Sequence, residues 1–317
     1  MKRILPILAA LALLPAGAWA QKQPPPPPPP KSAQIVKTVN LVALPVSVVD
    51  KDGKFVDILQ QQNFRVYEDG VEQKIAVFKR EDIPVTMGLV IDNSGSMRDK
   101  RSNVNEAALT LVQTSNHDDE VFVVNFNEDY YLDQQSDFTD DMDVLKEALE
   151  RIDSRGSTAL YDAVLASLDH LEKGHRDKKV LLVVTDGEDN ASRHSLEDTV
   201  RQAQKSNAVL YTIGLLSQED HRAAKRAQRA LTALSESTGG LAFFPRSTTQ
   251  VHSICLQIAR DIRNQYLLGY YPTNPQSNGG FRRVEIKLDN VPSGLGKLFV
   301  RTRTGYYPQT ASTVADN

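Results

Sequence analysis

The sequence predicts an α/β fold in which a doubly wound, mostly parallel sheet is inserted into a small antiparallel β-unit. Between residues 84 and 264, short apolar segments alternate with segments whose apolar residues recur at helical spacing. The apolar segments, such as Met87–Ile91 and Val180–Val184, are continuous rather than alternating, which is typical of parallel strands covered on both faces. Before and after this region, apolar residues recur every second position, as in antiparallel strands with one buried face.

The N-terminal residues 1–20 have the features of a cleavable signal peptide. Lys2 and Arg3 precede an apolar run, and Ala18-Trp19-Ala20 has the small-x-small pattern of a cleavage site. The run is short for a membrane span, and no later stretch is long and apolar enough for one. We therefore expect cleavage after Ala20, a secreted or periplasmic protein, and no membrane insertion once the signal is removed.

Residues 21–34 form a proline-rich linker with seven consecutive prolines, Pro24–Pro30. Such a run favours an extended polyproline helix and a semi-rigid spacer. A ligand for an aromatic-lined groove is the alternative interpretation.

Residues 35–83 are expected to form N-terminal β-strands. Asp69-Gly70 predicts a hairpin between the apolar segments 64–67 and 75–78, and Asp52-Gly53 gives a similar turn signal. Residues 265–308 return to period two and are expected to pair with 35–83 in one β-unit. The last residues, 309–317, are expected to form a loose tail.

The region 84–264 should supply the parallel sheet and its helices. We expect strands at 120–126, 208–213 and 241–244, and helices around 102–114, 142–152, 195–206 and 220–236. Ser195 is a plausible N-cap. Cys255, the only cysteine, shares helical spacing with apolar neighbours and is expected to be a core residue.

A candidate metal site begins at the end of the first of these strands. Asp92, Ser94 and Ser96 follow an apolar run at alternate positions and present oxygen atoms on one face of a tight loop, with Gly95 supplying backbone freedom. Three oxygen donors at the carboxyl end of a central strand suit a hard divalent cation. An ordinary strand-to-helix turn explains the same residues equally well.

Two later stretches favour the metal site. Thr158 precedes a helix with apolar residues at Leu160, Val164 and Leu168, and Asp186 follows a second continuous apolar strand. With the D-x-S-x-S loop, these residues make residues 84–264 resemble the von Willebrand factor type A (VWA) domain, or integrin I-like domain. That family's metal-ion-dependent adhesion site uses such a loop, a distant Thr and a distant Asp, which are all present here in the same order.

The resemblance implies a metal site and a mode of binding. Ser94, Ser96 and Thr158 would contact the metal directly, and Asp92 and Asp186 would bind it directly or through water. Mg²⁺ is the expected ion, with Mn²⁺ or Ca²⁺ as alternatives. Because three neutral hydroxyls leave the cation under-neutralised, its open position should attract an Asp or Glu carboxylate of a partner protein. The sequence leaves open whether Glu188 and Asp189 tune the choice of cation or repel ligands.

The sequence lacks the features that other classes of function require. The formal net charge of −3 provides no basic field for nucleic acid. The sequence has no G-x-S-x-G elbow, no H-x-x-x-H zinc pair and no Walker glycine loop. The helix expected at 220–236 carries a basic stripe, which we expect to face solvent: Arg222, Lys225, Arg226 and Arg229. We therefore expect a non-enzymatic, exported, metal-dependent protein-binding module for adhesion or assembly. The alternative is a structural or accessory subunit of an envelope assembly, in which the metal only stabilises the domain.

Overall fold

The computed structural model describes residues 41–80, 82–151, 154–274 and 279–308. The expected signal peptide (1–20), linker (21–34) and tail (309–317) lie outside the described residues, as do the first residues of the segment 35–83 and the end of the helix expected at 142–152.

Three groups of elements follow one another along the chain. The first four strands are β1 (Val42–Asp50), β2 (Phe64–Glu68), β3 (Val71–Gln73) and β4 (Ile75–Lys79). The α/β region then contains β5 (Val85–Asp92), α1 (Arg101–Gln113), β6 (Glu120–Phe126), β7 (Tyr130–Leu132), α2 (Met142–Glu150), α3 (Leu160–Leu171), β8 (Lys178–Thr185), α4 (Leu196–Lys205), β9 (Ala208–Gly214), α5 (His221–Thr238), β10 (Ala242–Phe243) and α6 (Val251–Arg263). The last strands are β11 (Tyr266–Tyr270), β12 (Arg282–Leu288), β13 (Leu298–Arg301) and β14 (Gly305–Tyr306).

The α/β region is built on a six-stranded sheet in the order β10-β9-β8-β5-β6-β7. All neighbours are parallel except β7, which runs antiparallel to β6. Because successive strand residues face opposite sides, Met87, Leu89 and Ile91 pack on one side with α1, α2 and α6. Val90 packs on the other side with α3, α4 and α5. The expected fold class, a doubly wound and mostly parallel sheet, is confirmed.

Local sequence signals account for several element boundaries. Ser195 caps α4, as expected, because its hydroxyl accepts a hydrogen bond from the Asp198 N–H at 3.1 Å. Asp220 caps α5 in the same way. Cys255 lies on the buried face of α6, and burial raises the pKa of its thiol to about 12. The expectation of a core cysteine is confirmed.

The flanking strands form two four-stranded antiparallel sheets, β13-β1-β11-β4 and β14-β12-β2-β3. Each sheet combines strands from before and after the α/β region, and their apolar faces share one core. The α/β region is therefore inserted between β4 and β11, which are neighbours in one sheet. An antiparallel β-unit made of N- and C-terminal strands is confirmed, in the form of a two-sheet sandwich.

One predicted pairing is wrong. The turn at Asp69-Gly70 exists, and both residues have positive φ, as a tight Asp-Gly hairpin turn requires. However, the turn joins β2 to β3, and the segment 75–78 belongs to β4, which pairs with β11 in the opposite sheet. Phe78 of β4 instead faces Phe64 of β2 across the sandwich core, with ring centroids 5.9 Å apart. Placing β2 and β4 in opposite sheets lets both aromatic rings pack in the shared core. This packing favours the observed arrangement over a longer hairpin.

Among the described residues, no helix is both long enough and apolar enough to cross a membrane.

Candidate functional site

The candidate site lies at the carboxyl ends of β5 and β8, neighbouring strands at the centre of the sheet. Asp92 is the last residue of β5 and is fully buried. One carboxylate oxygen accepts the backbone N–H of Ser94 at 2.8 Å, and the other accepts the hydroxyl of Thr185 at 2.5 Å. These two hydrogen bonds fix the plane of the carboxylate. Burial outweighs them and raises the pKa of Asp92 to about 6.

The two serines connect the β5 loop to the β8 loop. The Oγ atoms of Ser94 and Ser96 lie 3.3 Å apart, and Ser96 donates a hydrogen bond to Asp186 Oδ1 at 2.8 Å. Ser94 and Asp186 are buried, whereas Ser96 is exposed. Four of the five residues expected from the sequence therefore form one connected cluster that is open to solvent at Ser96.

Thr158 is positioned by the loop that follows Asp186. It lies just before α3 and is buried. Its N–H donates to the Asn190 side-chain carbonyl at 2.9 Å, and its carbonyl oxygen accepts the N–H of Asn190 at 3.0 Å. Asn190 belongs to the loop that follows Asp186, so the same loop positions Thr158 and Asp186.

The loop glycine does not have the role expected from the sequence. Gly95 opens a short 3₁₀ turn, and its φ lies outside the left-handed region. A Cβ atom at this position would meet no atom within 4 Å. The expectation that the loop needs the backbone freedom of Gly95 is therefore wrong, because the turn keeps the chain in a conformation that other residues adopt.

Sequence analysis missed two basic residues at the site. Lys100 forms an ion pair with Asp186 through Nζ and Oδ2. The fully buried Arg101 donates to the Asp92 carbonyl at 3.4 Å, to Asn125 Oδ1 at 2.7 Å and to the Leu149 carbonyl at 3.0 Å. Burial lowers the pKa of Arg101 to about 10. The sequence does carry a signal, since cations at the start of a helix oppose its dipole and call for nearby anions.

The acidic residues beside Asp186 have partners of their own. Glu188 forms a bidentate pair with Arg226 of α5, at 2.5 and 2.8 Å, and this pair lowers the pKa of Glu188. Asp189 accepts the Tyr161 N–H at 3.0 Å and the Ser192 hydroxyl at 2.5 Å, which positions the start of α3. Both carboxylates therefore have contacts that organise the loops around the site.

Two oxygen–oxygen distances in the cluster can be compared with those around a hard cation. Neighbouring ligands of an octahedral Mg²⁺, with bonds of about 2.1 Å, lie ~3 Å apart. The Ser94–Ser96 and Ser96–Asp186 oxygen distances, 3.3 and 2.8 Å, are close to this value. In the described part of the chain, no group of three or more His, Cys, Asp or Glu side chains is arranged to hold a metal. The cluster instead combines hydroxyl and carboxylate oxygens, a donor set that suits Mg²⁺.

The sequence matches a known domain family over this region. The profile of the von Willebrand factor type A domain matches residues 87–257. A calcium-activated chloride channel regulator 1 from Equus caballus is 27% identical over 169 residues, which cover 51% of this chain and 17% of that protein. An uncharacterized protein of Synechocystis sp. is 28% identical over 122 residues, which cover 36% of this chain and 29% of that protein. The chain thus spans less than a third of the length of either relative.

A solved structure shares the fold. A von Willebrand factor type A protein from Catenulispora acidiphila has a TM-score of 0.51 at 15% identity, covering 79% of this chain and 75% of that one. The vWF domain of the type V pili tip protein Mfa5 from Porphyromonas gingivalis has a TM-score of 0.48 at 12% identity, covering 57% of this chain and 95% of that domain. At 15% identity, the likeness to the Catenulispora acidiphila protein concerns the fold alone.

Proposed function

Because this chain belongs to the von Willebrand factor type A domain family, we propose that it is an exported protein-binding module that captures its partner through a bound divalent cation. Ser94, Ser96 and Thr158 hold the cation directly, and Asp92 and Asp186 support it. The single observation that carries the proposal is the cluster from Asp92 through Ser94 and Ser96 to Asp186, with oxygen spacings close to those of octahedral ligands.

The chemistry of the site indicates the kind of partner. Mg²⁺ is the proposed ion, with Mn²⁺ and Ca²⁺ as alternatives, and it would supply a coordination position that faces solvent beside the exposed Ser96. Hydroxyl ligands leave most of the cation's charge uncompensated, so an Asp or Glu side chain of another protein is the ligand of choice. Electrostatic complementarity of this kind provides specificity and a fast association rate. Residues 1–20 support export to the periplasm or beyond.

Calorimetric titration with Mg²⁺ tests the metal site. EDTA-treated protein should bind one ion, and Ser96→Ala and Asp186→Asn should each abolish the binding heat. Ser253→Ala is a matched control, because Ser253 is exposed on α6 and its hydroxyl donates to the carbonyl of Gln250, the residue before that helix. Equal binding by Ser96→Ala, Asp186→Asn and the control would refute the assignment of the metal.

One observation favours a second function, a structural subunit in which the cation only stabilises the domain. The two site carboxylates already have Lys100 and Arg101 as cationic neighbours, so the loops are held together within the protein itself. Affinity capture from envelope extract of the native host separates the two functions. A partner retained in Mg²⁺, released by EDTA and lost with Asp186→Asn supports capture through the metal. A partner that EDTA leaves bound, while the unfolding temperature of the protein falls, supports the structural function.

A further inference from the structure

Lys100 contacts one of the two carboxylates of the candidate metal site. Lys100 precedes α1, and its ammonium contacts Asp186 Oδ2, while Asp186 Oδ1 accepts the Ser96 hydroxyl. Both oxygens of this carboxylate are therefore engaged, one by a serine of the cluster and the other by a cation that belongs to the protein.

The ion pair is largely shielded from solvent. The side chain of Lys100 is 11% exposed and that of Asp186 is 1% exposed. Water and salt screen such a pair much less than a surface pair. Separating the two charges without replacing the cation would leave a buried carboxylate uncompensated, which is strongly unfavourable.

Lys100 offsets part of the negative charge around Asp186. The carboxylates of Asp186 and Glu219 interact with each other and with the Lys100 ammonium, and Arg101 interacts with the charge of Asp92. An incoming divalent cation is therefore attracted by these carboxylates and repelled by the nearby ammonium. Arg101 is fully buried and held by three acceptors, whereas the Lys100 side chain is 11% exposed and its ammonium contacts Asp186. Of these two cations, Lys100 is the one that has access to solvent.

We propose that Lys100 is a built-in competitor of the divalent cation at Asp186, an inference that rests on the function proposed above. Metal binding replaces the ammonium on the carboxylate, and the Lys100 side chain turns toward solvent. There it remains at the rim of the site as a second positive group beside the bound cation. The site then has a lowered intrinsic metal affinity, and it gains an added attraction for an anionic side chain of the partner when the metal is present.

Titration with Mn²⁺ alone, followed by electron paramagnetic resonance of the free ion, measures this competition directly. We expect Lys100→Met to lower the Kd of the full chain for Mn²⁺ by roughly tenfold or more, because it removes both the competing ion pair and the repulsion. Lys146→Met is the matched control, since Lys146 forms an exposed pair with Glu150 at 4.0 Å on α2. Its Kd should equal that of the wild type.

A second measurement needs only the wild-type protein. Brief acylation with an N-hydroxysuccinimide ester, mapped by mass spectrometry, reports the exposure of each lysine. Saturating Mg²⁺ should raise the reactivity of Lys100 several-fold and leave Lys146 unchanged. This readout decides the question even if Lys100→Met fails to fold.

The outcomes separate the two proposals. If neither the wild type nor Lys100→Met binds Mn²⁺, the proposed metal site fails and the competition fails with it. If the wild type binds and Lys100→Met binds equally or more weakly, the metal site stands and Lys100 only stabilises the loops. Unchanged acylation of Lys100 in saturating Mg²⁺ would overturn the competition in the same way. If Lys100→Met binds Mn²⁺ and the wild type does not, Lys100 excludes the ion completely, which supports the competition.

Discussion

The buried carboxylate of Asp261 in α6 accepts a hydrogen bond from the Ser47 hydroxyl in β1 at 2.7 Å, which joins the last helix of the VWA domain to the first strand of the sandwich. Its other oxygen accepts the Tyr211 hydroxyl of β9 at 2.8 Å and an N–H of Arg301 in β13. Burial, and next the Asp261 charge, raise the pKa of Tyr211 well above its usual value, so the phenol remains a donor. A single carboxylate thus holds three elements from both parts of the chain.

This relationship predicts that the two parts unfold together. Asp261→Asn should lower the free energy of unfolding by roughly 3 kcal/mol, because it removes the charge that compensates Arg301 in a largely buried site. Urea denaturation, followed by circular dichroism and tyrosine fluorescence, measures the change and should show one transition in the wild type. Glu285→Gln is the control, since Glu285 and Lys287 lie 3.5 Å apart with side chains 60% and 57% exposed. A loss as small as in the control, or two separate wild-type transitions, would contradict the prediction.

The pH dependence of stability should reveal the lowered pKa of Lys178. Its ammonium is buried beside α6 and donates to the Ile262 carbonyl, and burial lowers its pKa from 10.5 to about 8. Between these values the unfolded chain binds a proton that the folded chain has released, so stability rises with pH through this window. The full rise corresponds to ~3 kcal/mol.

The measurement is the difference in unfolding free energy between wild type and Lys178→Met from pH 7 to 11. Taking the difference cancels the titration of tyrosines common to both proteins. The wild type should gain stability relative to the variant as pH rises from about 8, and this gain disappears as pH falls below it. A difference that is constant across the range would show that Lys178 has an ordinary pKa.

Two glycine substitutions should affect stability to different extents. A Cβ on Gly88 in the central strand β5 would lie 2.4 Å from Leu181 Cδ2 and 2.5 Å from Phe122 Cζ, so Gly88→Ala should destabilise the protein by roughly 2 kcal/mol. The same change at Gly95 meets no atom within 4 Å and should alter stability by less than about 1 kcal/mol. Urea denaturation in EDTA measures both. Equal effects would mean that the packing around Gly88 relaxes without cost.

Removal of the metal should lower stability only when the site is intact. An ion that binds only the folded state adds about 2.7 kcal/mol at a concentration of 100 times its Kd. Thermal unfolding with Mg²⁺ and with EDTA should show this shift in the wild type and not in Thr158→Ala. Thr110→Ala, at a half-buried threonine whose hydroxyl donates to the Glu106 carbonyl and lies 3.5 Å from His252 Nδ1, should keep the shift. If Mg²⁺ raises the unfolding temperature of Thr158→Ala as much as that of the wild type, Thr158 does not bind the ion.

The sequence alone determined the alternation of strands and helices in the VWA domain and the meeting of Asp92 with Asp186. Both depend on local patterns, since continuous apolar runs form parallel strands and the carboxyl ends of such strands share one edge of the sheet. The cap at Ser195 was predictable for the same reason, because capping involves neighbouring residues.

Only the tertiary structure decided which strands pair and which charges meet. β4 pairs with β11 rather than β2, and the edge strands β7 and β14 were not predicted, because they are short and lack a clear period. Lys100 reaches Asp186, and Asp261 reaches Ser47, across long separations in the chain. No local pattern encodes such partners, since they depend on how packed elements bring distant side chains into one buried volume, where each charge requires an opposite one.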